Sequence, residues 1–382
     1  MAEFGPVTCA GCALLCDDVT VSNVDDEVRV APECPLAAAW FSEQFLRAGA
    51  PAATIDGEPA DVDAALARVA ELLRGARRVL VDAFDGATVE DARAAVALAD
   101  RLGALVSTGQ IDGPWPGAPA FALRGASTAT VGEIRDRSRV VVIWREDPEA
   151  THPRLLERLG LRGSSADERT LVVVEHRATA TAALADVRLA WPAERDLDAL
   201  VTLHALQRGL TVDAGDLGAL YERLAGVPHA AFVYGPALVT GAGGQRRALA
   251  LHELVRAMSH DRHVVTLELP RATGTRGADD VLAWQSGYGG KVDFASGHPE
   301  LVMDTQPLDD VDVRLRVEPA PAGGLVAGPG DEVWIRTAAA GVQATGTAHR
   351  LDGVPLTLQA PIENSAPTAA ALLTRLLDEV GR

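Results

Sequence analysis

The sequence predicts an α/β protein in which buried strands of parallel sheets alternate with helices. The predicted strands are apolar runs, several of them rich in β-branched residues and lacking alternation, which is typical of strands buried on both faces. They cover residues 77–83, 139–144, 171–175, 230–234 and 263–269. Because a helical segment lies near each strand, we expect doubly wound lobes that each contain a parallel sheet.

The first 50 residues predict a small β-rich cap that carries all four cysteines. Short alternating segments at residues 19–24 and 27–30 are typical of strands, and a short helix is expected at 36–47. The linker that follows, residues 48–59, is rich in Ala, Pro, Gly and acidic side chains. Strands alternating with helices begin after this linker, so the cap is predicted to be separate from the α/β body.

Two helices are predicted at the start of the α/β body. Residues 62–74 carry apolar side chains at helical spacing. Thr88 and Asp91 have the spacing of a capping box, in which each side chain accepts a hydrogen bond from the backbone amide of the other residue. The second helix is therefore expected to begin at Thr88 and to extend to about Leu102.

Changes of pattern along the 382 residues divide the chain into four expected segments. They are the cap at 1–50, a first α/β lobe at 51–160, a second α/β lobe at 161–320 and a C-terminal tail at 321–382. The tail follows a Pro- and Gly-rich run at 319–324. Its short strands, at 332–336, 342–349 and 354–358, are predicted to be antiparallel and to pack against the main body.

Composition excludes several classes of protein. The chain has 53 acidic and 35 basic side chains and a formal charge of -18, which opposes attraction to a phosphate backbone, so nucleic acid is not expected as a partner. Lys291 is the only lysine, which leaves little material for Schiff-base or P-loop chemistry. The apolar stretches are short, and the first residues lack the basic and apolar regions of a signal peptide. We therefore expect a cytoplasmic protein with no membrane association.

The four cysteines lie within the first 34 residues, with the spacing Cys9-x2-Cys12-x3-Cys16-x17-Cys34. In a reducing cytoplasm this pattern favours a metal site over disulfides. A 4Fe-4S cluster accepts such spacing, with three ligands in one loop and a distant fourth. Structural zinc sites usually present two CxxC pairs, and Cys16 and Cys34 make no second pair. A cluster, zinc, or cysteines that hold nothing all remain open at this point.

The segment Val7-Thr8-Cys9-Ala10-Gly11-Cys12-Ala13-Leu14-Leu15-Cys16-Asp17-Asp18 resembles the start of the B subunit of formylmethanofuran dehydrogenase, a family within the molybdopterin oxidoreductase superfamily. The resemblance continues at residues 130–135, 147–148, 151–154, 176–182, 185–186, 284–288, 292–294 and 349–355. It implies a molybdopterin-oxidoreductase-like fold. In that family the cysteine loop carries a 4Fe-4S cluster beside a tungsten or molybdenum pterin.

The resemblance also implies a subunit of a larger assembly. In the family, the B subunit interconverts carbon dioxide and formate, while an A subunit couples formate to methanofuran. The bacterial version contains A-, C- and D-type subunits as a formyltransferase/hydrolase complex. That complex transfers a formyl group from tetrahydromethanopterin to methanofuran and hydrolyses it to formate, and its B-type subunit is a scaffold without redox chemistry.

Three departures from the family pattern indicate a degenerate active site. Catalytic members have Cys or selenocysteine followed by His-Gly-Pro where this chain has Ile111-Asp112-Gly113-Pro114, and Ile111 cannot ligate a metal. Pterin-binding relatives have Gly-x-Asn-Pro where this chain has Arg145-Glu146-Asp147-Pro148, which places a long side chain and two carboxylates where a pyrophosphate would pass. Glu300 stands where an anion-binding arginine is expected. The tungsten or molybdenum pterin is therefore expected to be absent.

The sequence supports three hypotheses. The first is a non-redox structural subunit of a bacterial formyltransferase/hydrolase complex, assembled with A-, C- and D-type subunits. The second is a catalytic or electron-relaying B subunit of a formylmethanofuran dehydrogenase that carries a 4Fe-4S cluster and a tungsten or molybdenum pterin, with Asp112 as a substitute ligand. The third is a plain metal-binding module built on Cys9, Cys12, Cys16 and Cys34.

Two further motifs have ordinary interpretations. The run Gly241-Ala242-Gly243-Gly244 could cradle a phosphate, but no motif positions a basic partner beside it, so a turn is predicted. His152 and His298 could form an acid/base pair. The nine histidines show no metal-ligand spacing, so structural or surface roles are predicted for these two.

Overall fold

The structure, a computed structural model, describes residues 2–24, 27–46, 51–109, 120, 123–162, 169–270, 272–302, 310–318, 323–330, 332–362 and 365–381. The contacts divide the chain into two units. The first unit comprises residues Met1–Trp115 and Ala272–Arg382, and the second comprises Pro116–Arg271. Among the described residues, none of the helices combines the length and the apolar character that crossing a lipid bilayer requires.

The elements follow one another along the chain in three groups. The first unit begins with β1 (Ala2–Val7), β2 (Val19–Val24), β3 (Glu27–Ala31), α1 (Pro35–Leu46), β4 (Ala53–Ile55), β5 (Glu58–Ala60), α2 (Val62–Gly75), β6 (Val79–Asp82), α3 (Val89–Leu102) and β7 (Leu105–Ser107). The second unit contains α4 (Val131–Arg137), β8 (Val140–Trp144), α5 (Pro148–Thr151), α6 (Leu155–Arg158), β9 (Thr170–Val174), α7 (Ala180–Ala183), β10 (Val187–Leu189), a 3-10 turn (Ala193–Arg195), α8 (Asp196–Gln207), α9 (Asp216–Ala225), β11 (His229–Tyr234), α10 (Pro236–Val239), α11 (Gly244–Met258) and β12 (His263–Glu268). The first unit resumes with α12 (Thr275–Ser286), β13 (Lys291–Asp293), β14 (Glu300–Leu301), β15 (Val313–Glu318), β16 (Gly324–Gly328), β17 (Val333–Arg336), β18 (Gly346–His349), β19 (Pro355–Leu358) and α13 (Ala369–Val380).

The second unit is built on a parallel sheet with the strand order β10-β9-β8-β11-β12. The predicted strands at 139–144, 171–175, 230–234 and 263–269 all belong to it, and β8, β9 and β11 are almost wholly buried. The strand order reverses between β8 and β11. In open parallel sheets, ligands bind outside the carboxyl ends of the strands at such a switch point, which we call the β8–β11 crevice.

The first unit is built on a mixed sheet with the order β14-β13-β7-β6-β15-β16-β17-β4-β5. Only β7, β6 and β15 run parallel to one another, and the other pairs are antiparallel. The predicted capping box is confirmed, because the Thr88 hydroxyl accepts from the Asp91 amide at 3.0 Å and the Asp91 carboxylate accepts from the Thr88 amide at 2.9 Å. The other oxygen of Asp91 accepts from the Ala370 amide at 2.7 Å, so one carboxylate serves the first turns of both α3 and α13.

The cap is an antiparallel sheet of β1, β2 and β3 followed by α1. Its apolar side chains share one core cluster with residues of the C-terminal region; examples from the two sides are Leu15, Phe41, Val342 and Ala348. The predicted antiparallel character of the tail is confirmed by β17 and by the β18–β19 pair. Strand β1 was not predicted.

The two units differ from the segments expected from the sequence, which were bounded at residues 50, 160 and 320. Strand β8 was expected in the first lobe, but it pairs with β9 and β11 of the second unit. The residues of β15 fall within the range expected for the second lobe, although no strand was predicted there, and β15 pairs with β6 of the first unit. The first unit contains a short parallel core of β7, β6 and β15, and antiparallel strands that the sequence did not predict as part of this sheet extend it on both sides.

Candidate functional site

The cysteine loop, residues 8–18, joins β1 to β2 and carries Cys9, Cys12 and Cys16, while Cys34 lies directly before α1. The backbone amide of Cys9 donates to the carbonyl of Cys16 at 2.8 Å, which closes the loop on itself. The Cys34 carbonyl accepts from the Ala38 amide at 3.0 Å and so begins the helix. All four thiols are free of disulfides.

Hydrogen bonds to distant parts of the first unit hold the cysteine loop in place. The Thr8 hydroxyl donates to a backbone carbonyl of β19 at 3.0 Å. The Thr273 hydroxyl donates to the Ala10 carbonyl at 2.8 Å. The Leu351 amide donates to the Ala13 carbonyl at 2.9 Å. These contacts involve only protein groups, so the fold itself positions the loop.

Burial and crowding make the thiols of Cys9 and Cys12 poor acids. Burial, together with the proximity of the other three cysteines, raises the pKa of the Cys9 thiol far above its usual range, although the Gly11 amide donates to its sulfur at 3.4 Å. Burial also raises the pKa of Cys12 to about 12, with the charges of Cys16 and Cys34 adding to the effect. Thiolates would therefore form here only when a bound cation compensates their charge.

The four cysteine sulfurs are not gathered as the ligands of a single tetrahedral zinc ion would be. Zinc–sulfur bonds of ~2.3 Å place the sulfurs of a tetrahedral site ~3.8 Å apart. Among the described residues, which include all four cysteines, no three of the thiol sulfurs lie within 4.8 Å of one another. A 4Fe-4S cluster tolerates wider spacing because each thiolate binds a different iron. Gly11 lets the loop approach α1 closely, since a Cβ at this position would lie 3.1 Å from the Leu36 carbonyl oxygen.

The β8–β11 crevice contains the Arg145-Glu146-Asp147-Pro148 departure. Arg145 follows β8 with a φ of 55°, in the left-handed region that glycine adopts without strain. Its guanidinium is 3% exposed and binds Asp196 through two hydrogen bonds, Nε to Oδ2 at 2.9 Å and Nη2 to Oδ1 at 2.8 Å. A third hydrogen bond, of 2.7 Å, reaches the Trp191 carbonyl. The backbone thus retains a conformation suited to glycine, while the side chain completes a buried ion pair.

Glu175 joins this network from the carboxyl end of β9. Its carboxylate is fully buried, lies 3.5 Å from Arg145 and accepts from Arg177 at 2.9 Å. Burial alone would raise the pKa of Glu175, but the hydrogen bonds from Arg177 and the charges of Arg177 and Arg145 outweigh it and lower that pKa to about 2. The Glu175 carboxylate therefore stays ionised at neutral pH.

Glu146 fills the space between the ends of β8 and β11. It is 4% exposed, and a Cβ at Gly235, the residue after β11, would lie only 1.8 Å from its Oε2. Its Oε1 accepts from the Thr151 hydroxyl at 3.2 Å, and Asp147 accepts from the Thr181 amide at 2.9 Å. Two carboxylates held by protein donors at a switch point repel a pyrophosphate and occupy its place, so the residues present do not fit a pterin dinucleotide.

The remaining predicted residues are dispersed. Ile111 and Asp112 lie outside the described residues. Glu300 lies on edge strand β14, half exposed, where it accepts from the Ser296 hydroxyl at 2.9 Å and pairs with His298 at 3.2 Å. His152 is buried and His298 is exposed. Residues 241–243 form the predicted turn, and Gly244 begins α11.

Sequence reasoning missed the two carboxylates that bind Arg145. Glu175 carried a usable signal, because it ends an apolar strand at the edge where parallel sheets place functional groups. Asp196 carried none, since a carboxylate at the first residue of a helix is usually explained by the helix dipole. It also missed Glu133, His229 and His263, whose arrangement is described below.

No model of a known protein family matches the chain. The B subunit of the tungsten-containing formylmethanofuran dehydrogenase 2 of Methanocaldococcus jannaschii is 25% identical over 408 residues, which cover 94% of this chain and 93% of that relative. The B subunit of the formyltransferase/hydrolase complex Fhc of Methylorubrum extorquens is 31% identical over 256 residues, which cover 65% of this chain and 68% of that relative.

Two solved structures are similar to this one. The crystal structure of the formyltransferase/hydrolase complex FhcABCD from Methylorubrum extorquens, in complex with methylofuran, contains a chain that aligns with a TM-score of 0.70 and 26% identity over 86% of this chain and 98% of that chain. Acetylene hydratase from Pelobacter acetylenicus aligns with a TM-score of 0.50 and 13% identity over 66% of this chain and 43% of that chain, a likeness of fold alone.

The strand order, the cysteine cap and these alignments define an α/β protein with the molybdopterin-type fold. Within that class, the chain belongs to the family of formylmethanofuran dehydrogenase B subunits, which includes the B subunit of Fhc.

Proposed function

We propose that the chain is a non-redox structural subunit of a formyltransferase/hydrolase complex in one-carbon metabolism, assembled with A-, C- and D-type subunits. In the proposed complex, a formyl group passes from tetrahydromethanopterin to methanofuran and is released as formate, which completes the oxidation of formaldehyde. The other subunits supply this chemistry, and the chain itself is not catalytic. The likeness to the Fhc B subunit and to the FhcABCD structure supports the proposal.

The closed β8–β11 crevice is the observation that carries the non-redox part of the proposal. Arg145 replaces the glycine of pterin-binding relatives, and its side chain is fixed by buried carboxylates. Glu146 occupies the switch point itself. A tungsten or molybdenum pterin dinucleotide would have to displace this carboxylate and approach its negative charge, so the proposal includes the absence of that cofactor.

For the cysteine loop we propose a 4Fe-4S cluster with a structural role. The support is the set of four cysteines outside any disulfide, the hydrogen bonds that fix the loop without a metal, and sulfurs that, among the described residues, do not form a group of three within 4.8 Å. The raised pKa values of Cys9 and Cys12 mean that iron must displace the thiol protons. When bound, the cluster would tie the cysteine loop to the start of α1.

The proposal also places the protein in the cytoplasm and gives it protein partners instead of nucleic acid or membrane. Free thiols are usual in that reducing compartment. The formal charge of -18 disfavours nucleic acid.

Affinity purification of the full-length chain from its own host under anaerobic conditions tests these proposals together. The expected result is stoichiometric co-purification of A-, C- and D-type subunits, with tungsten and molybdenum below ~0.1 equivalent by elemental analysis, since a bound cofactor would approach one equivalent. A purified chain without such subunits would contradict the structural role. A full equivalent of either metal, with the chain still in the complex, would contradict the non-redox assignment.

Two further measurements separate the alternatives. Viologen-linked formate oxidation that disappears in an Asp112→Ala variant would favour the catalytic dehydrogenase subunit. Iron and acid-labile sulfide at about four equivalents each, with a low-temperature EPR signal after reduction, would support the cluster. A colourless, iron-free protein from the same preparation would contradict the proposed 4Fe-4S cluster and would leave the proposed structural role of the chain unaffected.

A further inference from the structure

A cluster of metal-ligating side chains lies at the end of the second unit's sheet opposite to the β8–β11 crevice. His229 and His263 are the first residues of β11 and β12, and the parallel register pairs them directly. Their imidazole rings lie side by side with centroids 5.1 Å apart. Glu133, from α4, approaches both rings. We call these three residues the His–Glu triad.

The ligand atoms converge on one point. Glu133 Oε1 lies 3.8 Å from His229 Nε2 and 3.8 Å from His263 Nε2, and the three ligand atoms all lie within 4.8 Å of one another. In a tetrahedral zinc site with bonds of ~2.05 Å, neighbouring ligand atoms are ~3.4 Å apart. Each of the two Glu133–histidine distances therefore needs to shorten by only a few tenths of an ångström around an ion. Among the described residues it is the only group of three such side chains this close together.

A buried and unsatisfied nitrogen points into the triad. His229 is 5% exposed, and its Nε2 has no hydrogen-bond partner within the described residues. Its other nitrogen, Nδ1, lies 2.9 Å from the hydroxyl of Ser138, which is fully buried. With Nδ1 donating to Ser138, the Nε2 lone pair faces the triad. In metal-binding histidines, a hydrogen bond from the ring nitrogen that does not bind the metal fixes the orientation and the tautomer of the ring.

We propose that the His–Glu triad is a binding site for a divalent transition-metal ion, zinc before others, with Nε2 of His229, Nε2 of His263 and a carboxylate oxygen of Glu133 as protein ligands. Imidazole and carboxylate donors together suit zinc better than calcium or magnesium, which prefer oxygen alone. The His263 side chain is 58% exposed, so water has access to the remaining coordination position. Bound metal would tie α4 to the starts of β11 and β12.

The neighbouring cation does not block the site. Arg137 lies 3.6 Å from Glu133 Oε1, but its side chain is 67% exposed and can turn into solvent when a metal ion replaces it. An exposed pair of this kind contributes little to stability. The triad belongs to the second unit, whereas the cysteine loop belongs to the first.

Metal titration of the full-length chain tests the site. The chain is stripped with a chelator under reducing conditions and titrated with cobalt(II), with zinc then used in competition. Cobalt bound by the triad gives weak ligand-field bands, whereas cobalt bound by cysteine thiolates adds an intense sulfur charge-transfer band, so the spectrum separates the two sites. His263→Ala and Glu133→Gln are expected to lower the affinity of the triad for cobalt ~10-fold or more, since even the loss of a residue that only hydrogen-bonds a metal ligand changes metal affinity ~10–100-fold.

His260→Ala is the matched control, because His260 is an exposed histidine three residues before His263. It is expected to leave the affinity unchanged. His263 is itself largely exposed, so its alanine variant should fold, and circular dichroism verifies this. Equal cobalt affinity in His263→Ala and His260→Ala would overturn the proposal, as would the absence of any sulfur-free cobalt spectrum in the wild-type chain at micromolar metal.

Discussion

Replacing Arg145 with glycine tests two properties of this residue, its strained backbone conformation and its buried ion pair with Asp196. The variant relieves the strain of a φ of 55°, for which L-residues lose ~1 kcal/mol relative to glycine. It also removes the cation that binds buried Asp196, and breaking a buried pair from one side costs ~3–5 kcal/mol. The Trp144 indole still donates to Asp196 at 2.9 Å in the variant, so the cost should lie at the lower end of the ~3–5 kcal/mol range. We expect Arg145→Gly to lower the free energy of unfolding by ~2–3 kcal/mol.

Arg145→Ala is the matched control, because it removes the same side chain and keeps the strain. In ordinary helix or strand positions alanine is more stable than glycine by ~0.5–1 kcal/mol. Here the order should be reversed, with Arg145→Gly more stable than Arg145→Ala by ~1 kcal/mol. Adding Asp196→Asn to Arg145→Gly should recover part of the loss, since it removes the uncompensated charge.

Urea unfolding of the full-length variants, followed by circular dichroism, measures these differences as shifts of the midpoint at constant slope. The reasoning is refuted if Arg145→Gly is as stable as the wild type, because Arg145 would then contribute nothing through its carboxylate partners. It is also refuted if Arg145→Ala is the more stable of the two variants, because the backbone would then not require a glycine-like conformation.

Three other outcomes are expected. Asp91→Ala should lower the free energy of unfolding by ~2 kcal/mol in urea, because it removes acceptors from the first turns of two helices, including the Ala370 amide; a loss under ~0.5 kcal/mol would contradict the double cap. In the reduced, metal-free protein, the pKa of Cys12 is raised to about 12, so Cys12 should react with iodoacetamide at pH 8 ~10³-fold more slowly than in the unfolded chain. Mass spectrometry of the Cys12 peptide measures both rates, and similar rates in the folded and unfolded chains would contradict the raised pKa. Burial raises the pKa of Asp279 to about 6, although the Gly290 amide donates to it, so the contribution of Asp279 to stability should fall as pH rises from 4 through 6 and then level off. The stability advantage of Asp279→Asn over the wild type should therefore grow by ~1 kcal/mol between pH 5 and pH 8, and a constant difference in urea unfolding would exclude this origin.

Structural features that depend only on a short stretch of residues were predictable from the sequence. The capping box at Thr88 and Asp91 is local, and the structure contains both of its hydrogen bonds. The buried strands of the second unit were recognisable because β-branched runs without alternation are typical of strands that are buried on both faces. Strand β1 was not, because it contains Gly5 and Pro6, which weaken the pattern of a strand.

Features that depend on distant pairing were not predictable. The unit boundaries follow from β8 joining β9 and β11, and from β15 joining β6, and neither pairing has a local signature. The same holds for the site. The position of Arg145 indicated a closed crevice, but its partner Asp196 is 51 residues away along the chain. His229 and His263 become neighbours only through the register of two parallel strands.

The cysteine loop and the β8–β11 crevice are held by independent sets of contacts, and this explains how one can persist while the other is closed. The loop is fixed by hydrogen bonds from Thr273, Leu351 and Thr8, all within the first unit. The crevice is closed by Arg145 and Glu146 through contacts within the second unit. Because no residue is shared, substitutions that fill the crevice place no direct strain on the loop. Four intact cysteines are therefore compatible with a chain that binds no pterin, and iron content and tungsten content have to be measured as separate properties.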